Sequence, residues 1–134
     1  MIGDLKKEML DALLETLPIE FSIVDASDQV LAWNRHETRI FKRPKSVVGR
    51  NVRDCHPRQS LDKVEKILSE MKSGKRDKAQ FWIDLNLEGK KEPQKILIEY
   101  HALRDVSGKY LGCLEASQNI TEILKIEGQK RLLD

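Results

Sequence analysis

The chain has 134 residues, with 24 Lys+Arg against 22 Asp+Glu for a formal net charge of +2, and it is 40% hydrophobic and 34% charged. That length suits one domain and argues against a second independent core, and so high an apolar content argues against disorder. Near-neutral charge speaks against a dedicated nucleic-acid binder, no apolar run approaches the ~20 residues that span a bilayer, and Met1-Ile2-Gly3-Asp4-Leu5-Lys6-Lys7 lacks the basic-then-apolar order of a secretion signal.

In chain order, residues 3–16 predict an amphipathic helix, because Leu5, Met9, Ala12, Leu13 and Thr16 recur near every 3.6 positions. Asp4 is placed to cap it and Pro18 to end it. Ile19-Glu20-Phe21-Ser22-Ile23-Val24-Asp25 alternates, Ala26-Ser27-Asp28-Gln29 is a turn cluster, and Val30-Leu31-Ala32-Trp33-Asn34 returns, so residues 19–34 predict a β-hairpin. Residues 35–60 break into short turns around Glu37 to Phe41, Pro44 and Gly49. Residues 61–73 give the clearest helix: Leu61, Val64, Ile67, Leu68 and Met71 form one stripe, with Ser60 as N-cap and Gly74 as terminator. Three strands follow, at 79–87, 95–103 and 110–117, separated by turns at 88–91 and 104–109. Residues 121–133 return to a helical pattern, weakened at Gly128. Five strands with helices gathered between the second and third predict an α+β fold: an antiparallel sheet covered on one face.

Cys55 and Cys113 are too few for a disulfide framework, and in this charge-rich chain they read as reduced thiols in the cytoplasm. His36, His56 and His101 are scattered, so neither structural zinc nor an enzyme is expected. The adjacent Cys55-His56 pair lacks a third orienting group, and the chain has no Gly-rich phosphate loop.

Three groups of residues resemble the PAS sensor family. They are Phe21-Ser22-Ile23-Val24-Asp25 with Val30-Leu31-Ala32-Trp33-Asn34; Val48-Gly49-Arg50-Asn51-Val52 with His56-Pro57; and Leu103-Arg104-Asp105-Val106-Ser107-Gly108-Lys109-Tyr110-Leu111-Gly112 with Asn119-Ile120-Thr121-Glu122, where Asn119 stands for the usual Asp. The Cys-His-Pro run, Phe81-Trp82-Ile83 and the ending around Gly128 resemble PAS modules found beside hemerythrin-like domains. The resemblance implies a PAS fold: a single domain over 1–134, with an N-terminal flanking helix (1–17), a core (18–119) and a C-terminal signalling helix (120–134).

It also implies a sensory module that binds a small molecule or partner protein on the inner face of its sheet and relays the change through its ends to an effector protein. Cys113, Glu115 and Ser117 would then turn inward, with Ile96, Ile98 and Tyr100 beside them, and Leu61, Val64, Leu68 and Met71 would form the roof. Cys55, His56 and Trp82 complete the candidate pocket residues. Two registers stay open. Leu114 and Ala116 could face inward instead of Glu115, and simple amphipathicity buries Phe81, Ile83 and Leu85 where the relatives favour Trp82 and Asp84. Light-sensing relatives carry Asn-Cys-Arg where this chain has Asn51-Val52-Arg53, so flavin-thiol photochemistry is not expected. A haem would need an axial ligand, and His56 is the candidate; the alternative is that His56 bonds backbone at a helix entrance. The flanking stripes Leu5, Met9, Leu13 and Ile120, Ile123, Leu124, Ile126 would pair subunits into a homodimer, or else cover the sheet. A module whose pocket is filled by its own side chains and which serves only to dimerise is the rival reading.

Overall fold

The structure, a computed structural model, describes residues 3–133. The alternating segments form β1 (Glu20–Asp25), β2 (Val30–Trp33), β3 (Lys78–Leu85), β4 (Gln94–Arg104) and β5 (Tyr110–Asn119). They make one five-stranded sheet in the order β2-β1-β5-β4-β3, with every pair antiparallel. The last strand is therefore the central one. Its middle is covered on both sides, so Cys113, Glu115 and Ser117 are buried on one face and Ala116 on the other.

Cross-strand partners share a face, and the pairing Ser22, Glu115, Tyr100, Ala79 defines the inner one. The helix α2 (Leu61–Lys72) lays Val64, Leu68 and Met71 on this face, where they join Val24, Val30, Val52, Tyr100 and Cys113 in one core cluster. The final hairpin does curve beneath the helix after Ser60. Four single 3-10 turns, His36–Thr38, Lys45–Val47, Val52–Cys55 and Arg58–Ser60, carry the chain from β2 to α2.

Ser60 does not cap α2. Its backbone is already helical and its side chain makes no cap bond, because the turn Arg58–Ser60 runs directly into Leu61. The C-terminal end follows expectation. Gly74 sits at φ +80, Gly74 N–H donates to Met71 O at 3.2 Å, and Lys75 N–H donates to Glu70 O at 2.9 Å, a left-handed Schellman stop. A Cβ on Gly74 would meet nothing within 4 Å, so only backbone strain opposes it. Gly74→Ala is expected to lower stability by about 1 kcal/mol in urea denaturation, with no change in the folded spectrum.

Both ends differ from expectation. The N-terminal helix α1 spans Lys7–Thr16 and starts at Lys6 without a side-chain cap, so Asp4 takes no part. None of its residues is buried, and Met9, Leu10 and Leu13 are exposed. The expected C-terminal helix over 121–133 is absent: one 3-10 turn, Ile123–Lys125, is followed by irregular chain with Gly128 at φ 62. Ile123, Leu124 and Ile126 are exposed, so no packing offsets the cost of nucleating a short helix that also contains a glycine. No helix among the described residues is long and apolar enough to cross a membrane.

Candidate functional site

The inner face is apolar under α2 but polar toward β1. Glu20 and Ser22 of β1 and Glu115 and Ser117 of β5 are all buried there, since Glu20 pairs with Ser117 and Ser22 with Glu115. Two arginines reach them from the segment after β2. Arg39, with its side chain 2% exposed, lies 3.3 Å from Glu20 and donates to the carbonyls of Phe21, Asn34 and Phe41. Glu20 also accepts from the backbone N–H groups of Ile40 and Phe41 at 2.6 and 3.1 Å. Arg43 donates through Nη2 to Glu115 Oε2 at 3.2 Å and through Nε to Ser22 Oγ at 2.9 Å. Arg39 Nη2 reaches the same hydroxyl at 3.1 Å, so two guanidinium groups share its two lone pairs.

The inner face thus carries two carboxylates and two guanidinium groups in near balance, which is how buried charge is tolerated. Nothing in the alternation of Glu20-Phe21-Ser22 marked Glu20 and Ser22 as inward, and Arg39 and Arg43 lie in the stretch read only as short turns. The available signal was Val24, whose side of the strand Glu20 and Ser22 must share.

Further along the face, His56 and Tyr100 form a pair. His56 Nδ1 lies 3.0 Å from Val52 O, which can only accept, so Nδ1 carries the proton. His56 Nε2 then accepts from Tyr100 Oη at 3.2 Å. Burial, reinforced by Glu115 and Cys113, holds the Tyr100 phenol well above its ordinary pKa, so it remains a donor. The alternative reading of His56 is the observed one: the ring ties the turn before α2 to backbone.

The same geometry tests haem. Both imidazole nitrogens are engaged, and the cavity beside them is about 10 Å³. The residues present do not fit the group. Among the described residues, no cluster of three or more His, Cys, Asp or Glu is arranged to hold a metal ion.

That cavity lies between the sheet and α2 and is lined by His56, Val64, Leu68, Tyr100, Cys113 and Glu115 from the candidate residues, together with Val24, Val52 and Ile67. Its size is near that of a single water, far below the ~300–1,000 Å³ of ordinary ligand pockets. Ile98 and Ser117 are buried on the same face without lining it; Cys55 is half-buried against the core cluster and Leu61 is half-buried outside the lining. Trp82 requires correction. It is 64% exposed, and its partner Leu97 lies on the outer face, because β3 turns Ala79 and Phe81 inward with Tyr100 and Ile98. Amphipathicity gave the facing of Phe81 correctly, but it did not bury the strand: Phe81 and Leu85 are half-buried and Ile83 is exposed. His101 is on the outer face as well, with Nε2 2.9 Å from Glu99 Oε2.

Neither thiol is activated. Burial raises the pKa of Cys55, and burial reinforced by Glu115 pushes Cys113 up to about 12. At pH 8 Cys113 is therefore expected to resist iodoacetamide in the native protein and to react fully in urea, with half-buried Cys55 labelled first; peptide mass spectrometry reads both. Prompt native labelling of Cys113 would contradict its placement.

An antiparallel sheet of this order, with its helices on one face, defines an α+β PAS fold. The family described as PAS domain matches residues 10–121, and the chain belongs to it. Members of that family serve as sensory signalling modules in histidine kinases and receptors and are generally non-catalytic. A crystal structure of the C-terminal domain of a Streptococcus mutans protein is 32% identical, covers 95% of this chain and 96% of that one, and superposes with a TM-score of 0.80. The PAS domain of Bordetella pertussis BvgS is 17% identical, with coverage of 88% and 90% and a TM-score of 0.62. Vibrio cholerae VqmA, described as a LuxR-type receptor dimer in a structure without its target DNA, is 17% identical with a TM-score of 0.61, over 89% of this chain and 54% of that one. No curated protein matches the chain.

Proposed function

We propose that this chain is a sensory PAS module, not an enzyme, that admits a small molecule between its sheet and α2 and passes the change to a partner through its ends. The observation that carries this reading is Glu115: a carboxylate 8% exposed, lining the cavity where an unadorned core would place a hydrophobic residue. Buried ion pairs contribute little to net stability, and apolar replacements of similar volume often do as well, so a charged wall beside an apolar roof suggests recognition. Because the cavity is about 10 Å³, the described state is the closed one. A ligand would act by differential affinity, stabilising an opened packing of α2 against the sheet.

The output route is the exposed apolar set on α1 and around Ile123, which would be covered in a homodimer or by an effector protein. The two free thiols fit a cytoplasmic setting. The Cys-His-Pro run and Phe81-Trp82-Ile83 support placement among modules that accompany hemerythrin-like domains.

The smallness of the cavity favours a second reading, a dimerisation module with its pocket filled by its own side chains. Ligand-observed NMR against a metabolite mixture separates them. The sensor reading expects at least one compound to bind and to be lost in Val64→Phe, which fills the cavity, with circular dichroism confirming the fold. A folded, dimeric protein that retains nothing supports the second reading.

A further inference from the structure

The two edges of the sheet are finished differently. β2 has four residues, and the chain after it straps its outer side: Val30 N–H donates to Arg50 O at 2.9 Å, and Gly49 N–H donates to Val30 O at 2.7 Å. β3 has eight residues, contains no proline and pairs with β4 without a bulge. Ala102 N–H donates to Asp77 O at 2.9 Å, and hydrogen-bonded pairs alternate along an antiparallel ladder. Ala79, Phe81, Ile83 and Leu85 therefore turn their backbone groups to β4, while Lys78, Gln80, Trp82 and Asp84 turn theirs outward. Among the described residues only Arg76 bonds to an outward group, its Nη1 donating to Lys78 O at 3.4 Å. Trp82 and Ile83 are exposed along this open row and Phe81 is half-buried. A long open edge of this kind is a template for another strand.

We propose that β3 pairs antiparallel with β3 of a second copy of this chain, about a two-fold axis at Phe81, joining two five-stranded sheets into one. The strand's own sequence selects that partner and that register. Outward backbone groups must meet outward ones, so Lys78, Gln80, Trp82 and Asp84 oppose one another. Centred on Phe81, the pairing sets Lys78 opposite the partner's Asp84 and Gln80 opposite the partner's Trp82, and the symmetry repeats both. Centring on Gln80 sets Lys78 opposite the partner's Trp82, and centring on Trp82 sets Gln80 opposite the partner's Asp84, so neither matches the charges. Opposed residues share a face. Lys78 and Asp84 lie on the outer one, where Asp84 is 2.6 Å from Lys95 and Lys78 is 3.4 Å from Glu99. The joined sheet then carries charges of alternating sign: Lys95, Asp84, the partner's Lys78, the partner's Glu99. On the inner face Ile83 meets the partner's Ala79, and the two Phe81 rings meet at the axis. Edge charges ordinarily discourage pairing; in this arrangement they complement each other. The contact uses none of the exposed apolar residues of α1, which stay available to an effector.

Sedimentation velocity over a concentration series reads the association of the intact chain. Lys78→Glu and Asp84→Lys each turn two opposed pairs into like charges, and each is expected to weaken dimerisation by about tenfold or more. Lys78→Glu/Asp84→Lys restores opposite charges and is expected to return to within about threefold of the wild type. Circular dichroism confirms the fold of each variant. Amide exchange locates the contact: protection of Gln80, Trp82 and Asp84 is expected to rise with protein concentration, while Ala79 and Phe81, already bonded to β4, stay unchanged. Should a charge variant not fold, the wild-type exchange decides alone. A chain that stays monomeric throughout the series would overturn the proposal and leave the edge to a strand of another protein. A dimer unmoved by either charge reversal would overturn it as well, and its loss in Met9→Lys would place the interface on α1. Protection that does not rise at the three outward amides would overturn strand pairing. A double variant as weak as the single ones would overturn the register.

Discussion

Gly112→Ala is expected to destabilise the domain by about 3 kcal/mol. Gly112 pairs with Asp25 across the junction of β1 and β5, and its φ is not in the left-handed region. The obstacle is space. A Cβ there would overlap the carbonyl oxygen of Val24 and crowd Asp25 Cα and the Val24 carbonyl carbon at 3.2 Å each. These are backbone atoms in the centre of the sheet, so they cannot rotate aside as a side chain would. Relief requires β1 and β5 to part, which breaks the neighbouring Val24 and Cys113 pair over the core. The alanine reduces the entropy of the unfolded chain by only about 0.4–1 kcal/mol in compensation. Urea denaturation of Gly112→Ala beside Gly74→Ala separates strain from collision: the first is expected to cost about three times the second. Equal effects would mean that the sheet adjusts at that junction.

Glu20→Ala is expected to cost about 3–5 kcal/mol. Arg39 would be left with its side chain 2% exposed and no carboxylate at hand, and the N–H groups of Ile40 and Phe41 would lose their acceptor. Much of the loss is the penalty of an unpaired buried charge, so removing the charge as well should recover part of it. A double-mutant cycle with Arg39→Met reads this coupling. The double variant is expected to be more stable than the sum of the two single losses by more than 1 kcal/mol. Additive losses would show that the two groups act independently.

The fold was legible because its elements carry strong local patterns. The stripe from Leu61 to Met71 and the alternation of residues 95–103 each have one physical solution, and Gly74 and Asp105 punctuate them as their chemistry demands. Asp105 Oδ1 accepts from Ser107 N, Ser107 Oγ and Lys109 N within the turn. Asn34 closes the first hairpin by accepting from Phe21 N and donating to Leu14 O and Ile19 O. The resemblance placed Cys113 and Glu115 inward, and they are so placed.

What local pattern could not give was long-range pairing. Arg43 and Glu115 meet across 72 residues of chain. Glu115 and Ala116 are both buried because β5 is central, a consequence of strand order invisible to alternation. Trp82 misled because β3 is an edge strand, where a large aromatic on the outer face can stay exposed. The C-terminal segment misled for the opposite reason. Its helical pattern is real, but a pattern without a packing surface does not hold a short helix.

A sensor of the proposed kind must open the space between the sheet and α2. Methyl relaxation dispersion measures this directly, since it detects minor states exchanging on the microsecond to millisecond scale. A single exchange process shared by the methyls of Val52, Val64, Ile67 and Leu68 is expected, with those of Leu97 and Leu114 on the outer face silent. Flat profiles at all four cavity methyls across the temperatures at which the protein stays folded would contradict it.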